Sequence, residues 1–252
     1  MHKLVEDVVD CKVCGAEAFI FDVCDFGKSC VEADWASRPR FGIPVYYYRC
    51  SDCGLLFTRD FDHWSVKEFQ RYIYNDEYEK VDPSFADERP RSFADLIDRK
   101  LGDHRRTLRM LDYGAGNGRM TDMLRKAGWT EAESYDPVYP DFQHRPTGLF
   151  DLITAIEVVE HSPAPLETIR EIAGFLKPGG LILLGTMLQP ADIEKRRLSW
   201  WYVGPRNGHI TLFSRKAMEL AWAECGLEFG STGENLHSAS KGIPGFAAHL
   251  FR

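Results

Sequence analysis

In the second half of the chain, apolar positions come in two textures, short unbroken runs and stripes at helical spacing. Leu108, Met110 and Leu111 form a brief run that leads into Asp112, with glycines at 114, 116 and 118. That pattern predicts a strand, a tight turn, and a helix over 120–127 ending at Gly128. Residues 149–156 are almost continuously apolar, as a strand buried on both faces should be. A helix over 166–176, the sequence Lys177-Pro178-Gly179-Gly180 and a strand over 181–186 follow. Upstream, Phe93, Leu96, Ile97 and Leu101 mark one face of a helix over 90–101 that stops at Gly102. Downstream, Ser214 caps a helix running to Cys225, with Gly226 as its terminator, and segments 227–229 and 246–251 are expected to close the sheet as an antiparallel pair.

Strand, glycine turn and helix open a Rossmann-type unit, in which glycines let the backbone approach a ligand at a helix N-terminus. Residue 119 is Arg where a nicotinamide or flavin fingerprint places its third glycine, which disfavours a dehydrogenase. Glu133-Ser134-Tyr135-Asp136 reads as the end of a second strand, and Asp136 falls at the distance expected of a carboxylate that accepts hydrogen bonds from a ribose diol. Only the Pro-containing segment 137–148 separates it from the next strand, too short for a helix and a strand, so no acidic residue is assigned to an adenine.

The cysteines change the picture at the other end. Six of the seven lie within the first 53 residues, four of them as Cys11-x-x-Cys14-Gly15 and Cys50-x-x-Cys53-Gly54. Thiolates at this spacing can wrap one tetrahedral Zn²⁺ in a closed, structural site. Cys24 and Cys30 lack partners at knuckle spacing and read as buried or free thiols, and Cys225 as a core residue. The aromatic loop between the pairs (Phe26-Gly27 to Trp35, Phe41 to Pro44, Tyr46 to Tyr48) either forms the module's own core or lids a substrate cleft. The tyrosines at 72, 74 and 78 either line a pocket or pack between domains. Three units follow: a zinc module over 1–60, a helical and aromatic connector over 61–105, and an α/β domain over 106–252. A net charge of −7 with both signs scattered argues against a broad nucleic-acid footprint. No apolar run approaches membrane-spanning length and the first residues lack a signal peptide's apolar stretch, so a soluble, cytoplasmic protein is expected.

Asp112-x-Gly114-x-Gly116-x-Gly118, Asp136, and the succession Phe150-Asp151, strand, Glu157-x-x-Glu160-His161, then Leu176-Lys-Pro-Gly-Gly180 and strand together resemble class I S-adenosylmethionine (SAM) dependent methyltransferases over roughly 108–186. The family includes small-molecule and sugar O- and C-methyltransferases. The resemblance implies a Rossmann-like α/β sheet with helices on both faces and SAM as cofactor. It places Asp112, Tyr113, Gly114, Ala115, Gly116, Gly118, Asp136, Pro137 and Glu157 at the cofactor. The zinc module ahead of the core is similar to that of deoxysugar methyltransferases, in Cys11-x-x-Cys14-Gly15 and Asp25-Phe26-Gly27.

Glu157, Glu160 and His161, with His209 further on, also resemble the divalent-cation ligands of two O-methyltransferase families. One methylates the 2′-hydroxyl at RNA 3′ ends, the other catechol intermediates of ubiquinone synthesis. Both acceptors carry vicinal hydroxyls that a cation can chelate. The alternative is that this loop only borders the cofactor, with His161, His209 and Glu157 acting as pocket residues or general base. Arg196, Arg197 and Arg206 among Trp200, Trp201 and Tyr202 offer a grip for a phosphate and a stacking surface for a sugar, or else a lid packed on the core. The favoured reading is a methyltransferase for a hydroxylated small molecule, a sugar or nucleotide sugar first, with O-methylation ahead of C-methylation. A metal-dependent RNA 2′-O-methyltransferase and a non-catalytic SAM-binding module are the alternatives. Oligomeric state is not legible.

Overall fold

The computed structural model describes residues 6–31 and 40–251. The paired cysteines sit at the turns of a small antiparallel sheet. Its strands β1 (Val8–Asp10), β2 (Glu17–Asp25), β3 (Pro44–Cys50) and β4 (Leu56–Thr58) pair in chain order, and the edge is completed by β9 (Thr211–Leu212), from far along the chain. Leu56 pairs with Leu212 and Phe57 with Thr211, so the cysteine module shares its sheet with the C-terminal half. Phe26 and Tyr47 are buried in a core shared with the connector and with residues 193–212, and Tyr48 in the core that runs under the larger sheet, while Phe41 is exposed and Trp35 lies outside the described residues.

The larger sheet has the order β10 (Glu228–Ser231), β11 (Leu236–Ser240), β8 (Leu176–Gly185), β7 (Phe150–Ile156), β5 (Met110–Tyr113), β6 (Ala132–Tyr135). The four strands from β8 to β6 are parallel, and β11 and β10 run antiparallel beside β8. Because successive strand residues face opposite sides, Leu111, Ile153 and Ile182 pack with the helices Pro165–Gly174 and Arg215–Ala223. Met110, Leu152 and Leu181 pack on the other face with the helices Glu88–Leu101 and Arg119–Lys126. The architecture is the expected Rossmann-like sheet covered on both faces. Between β6 and β7 the chain makes only a 3₁₀ turn, Pro140–Phe142, as the short Pro-containing segment required.

Two expectations are corrected. Segment 246–251 is not a strand: after Pro244 it winds into a 3₁₀ turn, Gly245–Phe251, that buries Ala247. The closing strand is instead β11, whose sequence Leu-His-Ser-Ala-Ser carries no apolar signature. The helix expected over 166–176 ends at Gly174, and Leu176-Lys-Pro-Gly-Gly180 already belongs to β8, with Leu176 opposite Phe150 before the register shifts.

No helix among the described residues is long and apolar enough to cross a membrane. Trp129 is fully buried between the helices Glu88–Leu101 and Arg119–Lys126, its indole N–H donating to Asp98 at 3.0 Å. Trp129→Ala is expected to cost about 3–5 kcal/mol in urea unfolding. A loss under about 1 kcal/mol would show that this layer does not depend on that ring.

Candidate active site

Beyond the carboxyl ends of β5, β6 and β7 lies a cavity of about 720 Å³, the place where open parallel sheets bind ligands. One wall is the turn after β5. Gly114 has φ +75°, and a Cβ there would lie 2.3 Å from Val158 Cγ2, so the glycine lets the loops after β5 and β7 touch. Asp112, Tyr113, Gly114, Ala115, Gly116, Asp136, Pro137 and Glu157 all line the cavity, but Gly118 does not: Phe142 covers it, and it serves as N-cap of the helix Arg119–Lys126. Asp112 is buried and accepts hydrogen bonds from Thr154 (3.0 Å) and Thr121 (3.3 Å), and burial pushes its carboxyl up to about 7. Asp136 ties the turn to the next loop. One oxygen accepts from the Gly116 N–H (2.9 Å), the other from those of Val138 (2.8 Å) and Tyr139 (2.9 Å).

The opposite wall comes from the connector. Trp64, Phe69, Tyr74, Tyr78 and Phe85 face the cavity, so the expected tyrosine cluster is split, with Tyr74 and Tyr78 lining it and Tyr72 half exposed outside. Arg89 also lines it and was not legible as a site residue, because a lone arginine at a helix start carries no motif. Both ends of its guanidinium bond to Asp82 at 2.9 Å. The arginines that the sequence offered for a phosphate lie elsewhere. Arg206 is buried and donates to the Ile73 carbonyl and to Asn75, Arg197 pairs with Asp22, and Arg196 pairs with Asp192. Trp200 and Tyr202 are buried in the core, not in a loose lid.

Glu157, Glu160, His161 and His209 converge, each offering a ligand atom within 4.8 Å of the others; Glu157 and His161 line the cavity, whereas Glu160 and His209 are buried and do not. Glu157 follows β7 with φ +55°, a backbone state costly for a non-glycine residue, and is held by its N–H donating to the Gly185 carbonyl at 2.6 Å. Glu160 is 0% and His209 4% exposed, so water cannot solvate their polar atoms. The Tyr202 hydroxyl lies between the carboxylates, against Glu157 Oε1 (3.1 Å) and against Glu160 Oε1. Glu160 Oε2 is buried with no partner. Burial and mutual repulsion raise Glu157 well above the ordinary carboxyl range, and burial takes Glu160 up to about 7.

The imidazoles are the complement. His209 Nδ1 lies 2.8 Å from the Tyr202 carbonyl, which can only accept, so this nitrogen carries the proton and Nε2 is bare. Nε2 faces Glu157 Oε2 at 3.6 Å, and burial holds the ring neutral, down to about 4. His161 Nδ1 is 3.0 Å from the Tyr74 hydroxyl, and burial lowers this imidazole too. A carboxylate and an imidazole facing each other with lone pairs, beside an unpartnered buried carboxylate oxygen, are stabilised by a proton or a cation between them. The donor set fits a divalent cation.

The cysteines form a second cluster, also within 4.8 Å. Across the knuckles, Cys11 Sγ lies 3.6 Å from Cys53 Sγ, and Cys14 Sγ 3.4 Å from Cys50 Sγ. A tetrahedral zinc with bonds of about 2.3 Å sets its sulfurs roughly 3.8 Å apart, so the cluster is compatible with that ion. Backbone N–H groups of Val13, Asp52 and Cys53 point at these sulfurs. Cys24 lies in β2, apart from the cluster, while Cys30 approaches His209 Nδ1 at 3.4 Å and Cys225 packs against the core.

A family model for the methyltransferase domain matches residues 67–231, well over half of the chain. The chain belongs to the methyltransferase family. Curated relatives of this methyltransferase include a ubiquinone biosynthesis O-methyltransferase of Paracidovorax citrulli, 26% identical over 103 residues, covering 31% of this chain and 43% of that protein. Another, of the same description from Ruegeria pomeroyi, is 30% identical over 131 residues, covering 42% and 53%. The chain therefore spans about half or less of the length of the curated relatives it matches. Among solved structures it is similar to magnesium protoporphyrin IX methyltransferase from Synechocystis with bound SAH (TM-score 0.46, 14% identity, 72% of this chain and 97% of that one).

Gly114→Ala is expected to weaken S-adenosylhomocysteine binding by about tenfold or more in calorimetric titration, since the new methyl meets Val158 at a strained φ. Unchanged affinity would place the cofactor away from this turn.

Proposed function

We propose that the protein transfers a methyl group from SAM to a hydroxyl of a small molecule that carries a neighbouring oxygen, with a divalent cation held by Glu157, Glu160, His161 and His209. The observation that carries this reading is the convergence of the four ligand atoms within 4.8 Å, with Glu157 and His161 also lining the cavity. The glycine turn and Asp136 line the same cavity and are placed to receive the nucleoside, with the Asp136 carboxylate accepting from the ribose hydroxyls. Trp64, Phe69 and Tyr74 form an apolar wall that excludes water from the transfer and favours a flat or apolar acceptor body. Among the described lining residues the permanent cation is Arg89, already paired with Asp82, so a nucleotide-linked acceptor finds less support here than the sequence suggested.

A bound cation would polarise the acceptor hydroxyl and lower its pKa. The protein's part is alignment: the methyl is already activated by the sulfonium, so rate comes from holding the attacking oxygen in line with it. Without a cation, Glu157 is the group placed to take the acceptor's proton, since it faces the cavity and burial has raised its proton affinity. The four cysteines would hold a structural zinc that takes no part in transfer, because four thiolates leave no open position.

S-adenosylhomocysteine release would be followed with a panel of catechols, vicinal-diol sugars and single-hydroxyl controls. Stripping with chelator is expected to reduce turnover of vicinal diols about 100-fold or more, with Mg²⁺ or Mn²⁺ restoring it, and Glu160→Gln to lose that restoration. Full activity after verified removal of the second metal would leave Glu157 as a metal-free base. Turnover confined to RNA 3′ ends would move the acceptor to nucleic acid.

A further inference from the structure

The two cysteine knuckles lie more than 100 residues before the Glu157 loop in sequence, yet the first is bonded to that loop directly and the second to the segments on either side of His209. Lys12, between the two cysteines of the first knuckle, donates from Nζ to the Pro163 carbonyl (2.9 Å), two residues after His161, and to the Thr58 carbonyl (2.9 Å) at the end of β4, and it pairs with Asp62. Thr58 in turn donates its N–H to the Ile210 carbonyl (3.0 Å), and Ile210 donates its own to the Glu160 carbonyl (3.0 Å). Tyr47, on the strand that ends at Cys50, donates its fully buried hydroxyl to the carbonyl of His209 itself (2.7 Å). On the second knuckle, the Ser214 hydroxyl bonds to the Cys53 carbonyl, and the Gln189 amide to that of Gly54 at 2.8 Å.

These contacts fasten the two segments that bring Glu160, His161 and His209 together. Neither segment is held in place by the parallel sheet alone. His209 lies on a loop that, among the described residues, leads into a short strand paired with β4, through Thr211 and Leu212. Metal affinity depends on ligand atoms being held to fractions of an ångström; hydrogen bonds to the ligating side chains themselves are typically worth tenfold to a hundredfold in affinity, and here the bonds fix the backbone that carries those side chains.

We infer that Lys12 and Tyr47 are positioning residues for the divalent-cation site, so that the cysteine module sets the geometry of the catalytic ligands as well as stabilising the N-terminal sheet. This rests on the reading that Glu157, Glu160, His161 and His209 hold a cation. Zinc in the knuckles and a cation in the active site are then coupled: each orders backbone that the other needs, and binding of either favours the other.

The test is a Mn²⁺ titration of the full chain, with free Mn²⁺ read by electron paramagnetic resonance, on wild type, Tyr47→Phe, Lys12→Met, Lys12→Arg and Lys216→Met. Tyr47→Phe removes one oxygen from a packed ring, and Lys216 pairs with Asp52 on the exposed side of the second knuckle. Tyr47→Phe and Lys12→Met are expected to weaken Mn²⁺ about 10- to 100-fold, while zinc stays at one per chain and S-adenosylhomocysteine affinity stays within twofold. Lys12→Arg should recover part of the loss, and Lys216→Met should match wild type. Mn²⁺ affinity within twofold of wild type in both Tyr47→Phe and Lys12→Met overturns the inference while leaving the cation site intact. Absence of Mn²⁺ binding in the wild type overturns the site itself. Should Tyr47→Phe shed zinc or lose S-adenosylhomocysteine, Lys12→Met and its arginine rescue decide alone, and equal affinities in that pair overturn the inference.

Discussion

Two carboxylates and two neutral imidazoles crowd together at the end of β7, Glu160 and His209 buried and Glu157 and His161 on the cavity wall, with the guanidinium of Arg89, already paired with Asp82, as the cation of that wall. Burial makes an unpaired carboxylate expensive, and the chain responds by raising the proton affinity of Glu157 and Glu160 and lowering that of His161 and His209. Much of the surrounding structure serves to keep this arrangement from relaxing. The strained backbone of Glu157 is held by Gly185, Tyr202 bridges the carboxylates, and carbonyls from Tyr202 and hydroxyls from Tyr74 orient the imidazoles. Groups held against their own electrostatics in this way cluster at functional sites.

The remainder of the fold sets that cluster beside the cleft beyond the carboxyl ends of β5, β6 and β7. Parallel strands β5 and β7 deliver the glycine turn and Glu157 to the same edge of the sheet, and Gly114 lets the two loops touch. The connector closes the far side with aromatic rings, and Gln70 reaches over to the Val138 carbonyl at 2.6 Å, joining that wall to the loop organised by Asp136. The cysteine module, which as a sequence looks like a detachable appendage, completes the cage by sharing a strand with the segment that carries His209.

The features legible in the sequence were those enforced by local physics. Continuous apolar runs gave the buried parallel strands, glycine spacing gave the turn, and the Cys-x-x-Cys pairs gave a cluster whose sulfurs do meet. The missing third strand followed from the length between Asp136 and Leu149. What escaped was set by tertiary contact. Leu236–Ser240 is a strand because it pairs with β8 on one side and β10 on the other, not because its residues favour one. Lys12 carries no signal in the sequence, yet its amine bonds to the Pro163 carbonyl, and Arg206, a candidate phosphate grip by sequence, is buried with its guanidinium on the Ile73 carbonyl. Long side chains that choose partners across the fold leave no periodic trace.

The central claim is that a cation occupies the Glu157, Glu160, His161 and His209 cluster beside the cofactor. Anomalous diffraction from crystals grown with Mn²⁺ and S-adenosylhomocysteine, recorded at the manganese and zinc edges, tests it most directly. The account predicts a zinc peak among the four cysteines, a manganese peak among the two carboxylates and two imidazoles, and the nucleoside against the glycine turn. A zinc peak and ordered nucleoside with no manganese density in that cluster would contradict it, and would return the two glutamates to a purely protonic role.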